Sequence, residues 1–208
     1  MVEPCVSREG RMLFYQLFLH YYRGDLNQLN VGQWKELVQL LKAEPACSQN
    51  PAIQEALGKL EKMDENPLTT LLYDYNRLFI GPSILLASPY ESSYENAEGS
   101  VMQGETMKVR NFYYHEGLQV AEEGTIPDDH IQFEIEFMIH LLGCKPNEEK
   151  EKVETLFLQN HLLKWGPKHC EKVEQHSQNE ITLAMGLLLK GFLETERMFI
   201  KGGDYDVN

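Results

Sequence analysis

Apolar residues recur at three- and four-residue steps along most of this chain, and no stretch convincingly alternates apolar with polar in the manner of a strand. That period commits the polypeptide to helices, each burying one face, because positions i, i+3, i+4 and i+7 share a side of an α-helix. The most fully punctuated example runs from Thr125 to Gly143. Thr125 suits a cap, Pro127 the first turn, and Asp128 and Asp129 the positive end of a helix. Phe133, Phe137, Met138, Leu141 and Leu142 form its apolar stripe, and Gly143 can stop it. His130 and Glu134 fall on or beside that stripe, where an ionisable group is costly unless it has a partner or a purpose.

The same reading extends over the chain. Stripes predict helices over roughly Ser7–Tyr22, around Trp34–Leu41, around Ile53–Leu60 and from Asn66–Pro67 to Phe79, the last closed by Gly81–Pro82. Leu68, Leu71, Leu72, Tyr75, Leu78 and Phe79 are its expected apolar face. Periodicity then lapses from Gly81 to about Gly104, a long connection of the kind that is often functional. Helix resumes near Glu105 and is expected to continue past Leu118 and Ala121 to Gly124. After the Thr125 segment, Asn147 caps a helix that Gly166–Pro167 should break, and Ile181 to Phe199 marks a last long one. The expected architecture is all-α: about nine helices in a single compact bundle. One domain over residues 1–208 would comprise halves 1–80 and 106–208 joined by a loop or hinge over 81–105. A joint this long leaves open a monomer or a dimer that exchanges halves.

Composition narrows the function classes. The 208 residues hold 32 acidic against 19 basic side chains, a formal charge of −13, which argues against nucleic acid and suits a basic peptide or protein partner. No apolar run approaches the ~20 residues that span a bilayer, and the start lacks the basic segment of a secretory signal. Four scattered cysteines without a Cys-x-x-Cys pair fit free thiols in a reducing cytoplasm.

Two kinds of chemistry can be drawn from the residues. His130 and Glu134, an i, i+4 pair, could share a metal ion, and Asp129 could orient His130; this gives a small metal-dependent hydrolase centred on Asp129, His130 and Glu134. Zinc would need a further ligand, no motif supplies one, and neither a nucleophile elbow nor a phosphate-binding glycine loop occurs. The plain alternative is that His130 caps a helix or satisfies a core backbone group. The other chemistry is a groove. Tyr75, Leu78 and Phe79, with Pro89, Tyr90 and Tyr94 in a loop free to move, offer apolar walls, and nearby carboxylates offer a charged rim.

Taken in order, Tyr75-Asn76-Arg77-Leu78-Phe79-Ile80-Gly81-Pro82, Ser88-Pro89-Tyr90-Glu91-Ser92-Ser93-Tyr94, Thr106 with Val109-Arg110 and Tyr113, and Pro127-Asp128-Asp129-His130 with Glu134 and Phe137-Met138 resemble the TorD/DmsD family of redox-enzyme maturation chaperones. The resemblance implies a cytoplasmic, non-enzymatic, all-helical chaperone without metal or cofactor. It would bind the twin-arginine signal peptide and the apo form of a molybdoenzyme catalytic subunit before cofactor insertion and export. It also implies peptide-binding roles for Tyr75, Leu78, Phe79, Pro89, Tyr90, Asp129 and His130, with Glu91, Asp128 and Glu134 as an acidic rim for the arginines. Where the family loop often reads Pro-Pro-Trp-Gly-Ser, this chain has Ser88-Pro89-Tyr90-Glu91-Ser92.

Overall fold

The computed structural model describes residues 7–82, 84–95, 104–121 and 125–202. Among them are ten α-helices: α1 (Arg8–Tyr22), α2 (Val31–Lys42), α3 (Pro51–Glu61), α4 (Asn66–Phe79), α5 (Ser92–Glu95), α6 (Gly104–His115), α7 (Ile131–Gly143), α8 (Glu148–Asn160), α9 (Leu162–His176) and α10 (Glu180–Gly202). Short 3₁₀ turns at Asp25–Gln28 and Pro45–Ser48 complete the regular structure of the described residues. The fold is compact and all-α, with α10 against α3, α9 and α4, α1 against α7, and α8 against α9.

Helix starts follow the sequence closely. Ser7 Oγ accepts the Gly10 N–H, Asn30 and Gln33 cap one another reciprocally, Asn50 precedes Pro51, and Asn147 Oδ1 accepts the Lys150 N–H. Gly81, at φ +96°, ends α4 and donates its N–H to the Asn76 carbonyl. At the centre, Phe14, Phe18 and Phe192 pack ring on ring. A buried guanidinium, Arg11, joins α1 to α8 and α10 through Glu154 and Glu196, each at 2.6 Å, and Glu196 also accepts the Tyr15 hydroxyl at 2.7 Å.

Four expectations about elements need correction. The helix expected from Thr125 starts at Ile131, because Pro127 to His130 form a turn, closed by the His130 N–H on the Pro127 carbonyl, and the Asp129 carbonyl accepts the Glu91 N–H instead of a helical donor. The helix from Glu105 stops at His115, where Gly117 turns the chain at φ +72°; Ala121 is exposed and Gly124 lies outside the described residues. Pro167 does not break a helix. It sits inside α9, and the Leu163 carbonyl that its missing N–H would have used accepts a hydrogen bond from Arg197 at 2.8 Å instead. The break falls at His161, whose backbone (φ −124°, ψ −97°) separates α8 from α9. Leu72, finally, shares the period of α4 but faces solvent.

Candidate functional site

The site is built on a two-residue crossing. Glu91 N–H donates to the Asp129 carbonyl at 3.0 Å and Ile131 N–H to the Pro89 carbonyl at 2.8 Å, which places Tyr90 and His130 opposite one another in an isolated antiparallel bridge. Their half-buried rings meet edge to face at 4.9 Å and 78°. His130 is the N-cap of α7, its Nδ1 accepting the Gln132 N–H at 3.2 Å. Burial, helped by His169, lowers its pKa to about 3, so the imidazole is neutral at pH 7 and carries its proton on Nε2. Burial, and then the Asp129 charge, raise the Tyr90 phenol, which stays protonated.

Under this bridge lie the acidic side chains. Asp129 Oδ2 accepts the Ser92 N–H at 2.8 Å and its Oδ1 the Thr106 hydroxyl at 2.7 Å. Asp128 takes Arg110 at 2.6 Å. Glu91, one of the residues at which this loop departs from the pattern quoted above, meets His161 Nδ1 at 2.7 Å. Glu134 receives the Trp165 indole N–H at 3.1 Å to each oxygen. Burial and then the neighbouring Glu91 push its pKa far up, so Glu134 holds a proton. The expected acidic rim is therefore absent as a surface feature: Glu91, Asp128 and Glu134 are 0%, 1% and 0% exposed. They sit in a seam between loop and helices that supplies each with a donor, which is the condition for burying such groups.

The remaining expected residues divide in the same way. Tyr75 donates to the Tyr22 carbonyl at 2.6 Å, Phe79 packs on Tyr22 and His169, the Leu78 carbonyl accepts the Ala87 N–H at 3.2 Å, and Pro89 is enclosed. They form a floor rather than the walls of an open groove. Of the seven residues expected to meet a peptide, only Tyr90 and His130 reach the surface. The exposed apolar side chains of this region are others: Leu72 (56%) and Tyr73 (69%) on α4, and Ile80 (64%) and Ile84 (92%) just beyond it. Tyr73, Ile84 and Leu86 line a cleft of about 360 Å³ with Asn76, Arg77, Gly81 and Pro82.

Nor is the described part of the loop loose. His169 is enclosed with Nδ1 at 3.0 Å from the Ser88 carbonyl and 3.1 Å from the Tyr94 hydroxyl, and Nε2 at 2.7 Å from the Tyr22 hydroxyl. Burial lowers its pKa to about 4, against the opposing pull of the Ser88 carbonyl. His161, Trp165 and His169 thus hold Glu91, Glu134 and Ser88 from one side of the α8–α9 region. Their spacing of four was a readable signal that sequence reasoning missed. Asp129, His130 and Glu134 are each spent on different partners, and no group of three or more His, Cys, Asp or Glu side chains suited to a metal occurs among the described residues.

The bridge and its buried carboxylates fall inside residues 39–171, the span matched by the model of the nitrate reductase delta subunit family. This chain belongs to that family. It is similar to chaperone protein TorD of Vibrio parahaemolyticus, 27% identical over 216 residues that cover 97% of this chain and 100% of the relative. It is also similar to chaperone protein TorD of Actinobacillus succinogenes, 28% identical with 73% and 75% of the two chains covered. The Tat proofreading chaperone DmsD of Salmonella typhi is 26% identical, with 74% of each covered. As a TorD/DmsD-type member the chain is a chaperone and not an enzyme, and the hydrolase alternative finds no support. No described helix is long and apolar enough to cross a membrane.

Proposed function

We propose that this chain is a cytoplasmic maturation chaperone that binds the twin-arginine leader and the apo form of a molybdoenzyme catalytic subunit, before cofactor insertion and Tat export. The observation that carries this reading is the Tyr90–His130 pair, half-exposed on a crossing whose backbone is pinned from below. A preordered aromatic and a neutral imidazole with a free N–H donor offer a peptide one stacking surface and one hydrogen bond at little ordering cost. Asp129, Pro89, Tyr75, Leu78 and Phe79 act beneath this surface as supports. The leader's arginines are drawn by the overall charge of −13, since the nearest carboxylates are already committed.

Calorimetric titration of a twin-arginine leader peptide tests the reading. Binding is expected in the micromolar class, about −8 kcal/mol. Replacing both arginines should slow association and weaken binding at low salt, with a loss that shrinks as salt is raised. Tyr90→Ala and His130→Ala should each weaken binding about tenfold, and absence of any effect from either would refute the assignment.

A further inference from the structure

We infer that Glu91 and His161 are a positioning pair for Tyr90: the buried contact between them fixes how that ring meets a bound leader, an inference that rests on the leader-binding reading above. Pro89 and Glu91 are buried while Tyr90 between them is half-exposed, so the chain turns one side chain outward at the bridge and the next one inward. Whatever anchors residue 91 from below therefore sets the angle at which residue 90 is offered above. Glu91 is held at three points by three segments. Its N–H reaches the Asp129 carbonyl at 3.0 Å, its carbonyl accepts the Tyr94 N–H at 2.9 Å, and its Oε2 meets His161 Nδ1 at 2.7 Å. The first two are backbone contacts that any residue but proline could make; the third belongs to this side chain.

His161 is a firm anchor. It stands at the break between α8 and α9 and is 2% exposed. Its N–H donates to the Phe157 carbonyl at 3.0 Å, and its carbonyl accepts the Lys164 N–H at 2.7 Å. The ring lies edge-on to Phe112 at 5.3 Å and beside Phe157 at 5.2 Å, so the imidazole cannot swing. Stability does not account for the contact. Glu91 is fully enclosed, and its other oxygen, Oε1, has no hydrogen-bond partner among the described residues. Desolvating a carboxyl group with one oxygen unmet offsets what a single contact contributes, and apolar side chains would fill the same space at less cost. What the pair supplies is geometry. A crossing of two backbone hydrogen bonds can pivot, and an inward side chain bonded to a third segment stops the pivot. Tyr90 then meets the leader already oriented, with little left to order on binding.

The test uses the full chain, a twin-arginine leader peptide and a double-mutant cycle. Glu91→Ala should weaken leader binding about fivefold by calorimetry, the equivalent of one net hydrogen bond. In a chain already carrying Tyr90→Ala, the same change should weaken it by less than about twofold, because Glu91 acts through that ring. Glu91→Gln keeps an acceptor for His161 and should bind within about twofold of wild type. Glu91→Leu combined with His161→Leu removes the contact without stranding a polar partner; this variant should melt within a few degrees of wild type and still bind about fivefold more weakly. A second readout needs no peptide. The ring-proton resonances of His130, which lies edge to face with Tyr90, should move in Glu91→Ala toward their place in Tyr90→Ala and stay put in Glu91→Gln. Equal losses from Glu91→Ala in the two backgrounds, a leucine pair that binds like wild type, or His130 resonances unmoved by Glu91→Ala would each overturn the inference. Unfolding of both Glu91→Ala and the leucine pair would make the contact a requirement of the fold and overturn it as well. A wild-type chain that fails to bind the leader, with the resonances moving as described, would remove the leader-binding reading and leave the hold on Tyr90 standing.

Discussion

Truncating Asp129 is the most direct probe of how the site is held. Its two oxygens accept the Ser92 N–H and the Thr106 hydroxyl, at 2.8 and 2.7 Å, and all three residues are buried. Hydrogen bonds to a charged group contribute about 1.5–3 kcal/mol each, and a donor left without its acceptor in a dry site costs about as much. Asp129→Ala should therefore destabilise the fold by about 3–5 kcal/mol, or about 10 °C in midpoint for a chain of this size. Asp129→Asn keeps the shape. Its carbonyl can take the Ser92 N–H while its amide donates to Thr106, whose hydroxyl rotates to accept, and the cost falls to about 1 kcal/mol. Urea unfolding followed by tryptophan fluorescence measures both variants, with an unchanged slope confirming a common reference state. The alanine variant should also lose leader affinity, because the segment carrying Tyr90 is no longer tied down. A midpoint for Asp129→Ala indistinguishable from wild type, or equal losses for alanine and asparagine, would refute the anchoring argument.

Three further outcomes follow from the buried groups. Glu134 is held protonated by burial, so its contribution to stability is present below the ordinary carboxylate range and is lost as pH rises; Glu134→Gln should be more stable than wild type by a margin that widens from pH 5 to pH 8 in thermal melts. His169 is enclosed with its pKa lowered from 6.5 to about 4, so its contribution is present above pH 6.5 and falls away by up to about 3 kcal/mol as pH drops to 4; a His169→Gln variant should show a flatter stability profile across that window in denaturant titrations. Arg11→Ala strands Glu154 and Glu196 in the core and should cost about 3–5 kcal/mol in urea unfolding, whereas a surface pair such as Lys42–Glu61 should be nearly silent.

Much of the fold was legible because its signals are local. Ser7, Asn30, Asn50 and Asn147 each announce a helix within three residues of where it begins. Departures occur where a distant partner overrides a local signal. Asp128 and Asp129 read as first-turn acids, but they lie in a turn ahead of the helix, and Ser92, 37 positions upstream of Asp129, donates its N–H to the Asp129 carboxylate. Pro167 reads as a helix break, yet Arg197 satisfies the carbonyl it frees. The site was legible in its residues more than in its surfaces. The bridge joins Tyr90 to His130, whereas Glu91 and Glu134 face His161 and Trp165, 70 and 31 positions away. No spacing rule within one helix announces such pairings, and without them a carboxylate in a sequence looks like surface charge.

The pairing of α3 with α10 bears on how the chain is made. Asn50, which caps α3, donates to the Gly191 carbonyl at 3.0 Å, so early and late segments are sewn together. About 120 residues separate the end of α3 from the start of α10. At about 5–20 residues per second, a ribosome leaves the greasy side of α3 uncovered for about 6–24 s. A protein that shelters unfinished clients passes through the same vulnerable interval itself on every round of translation.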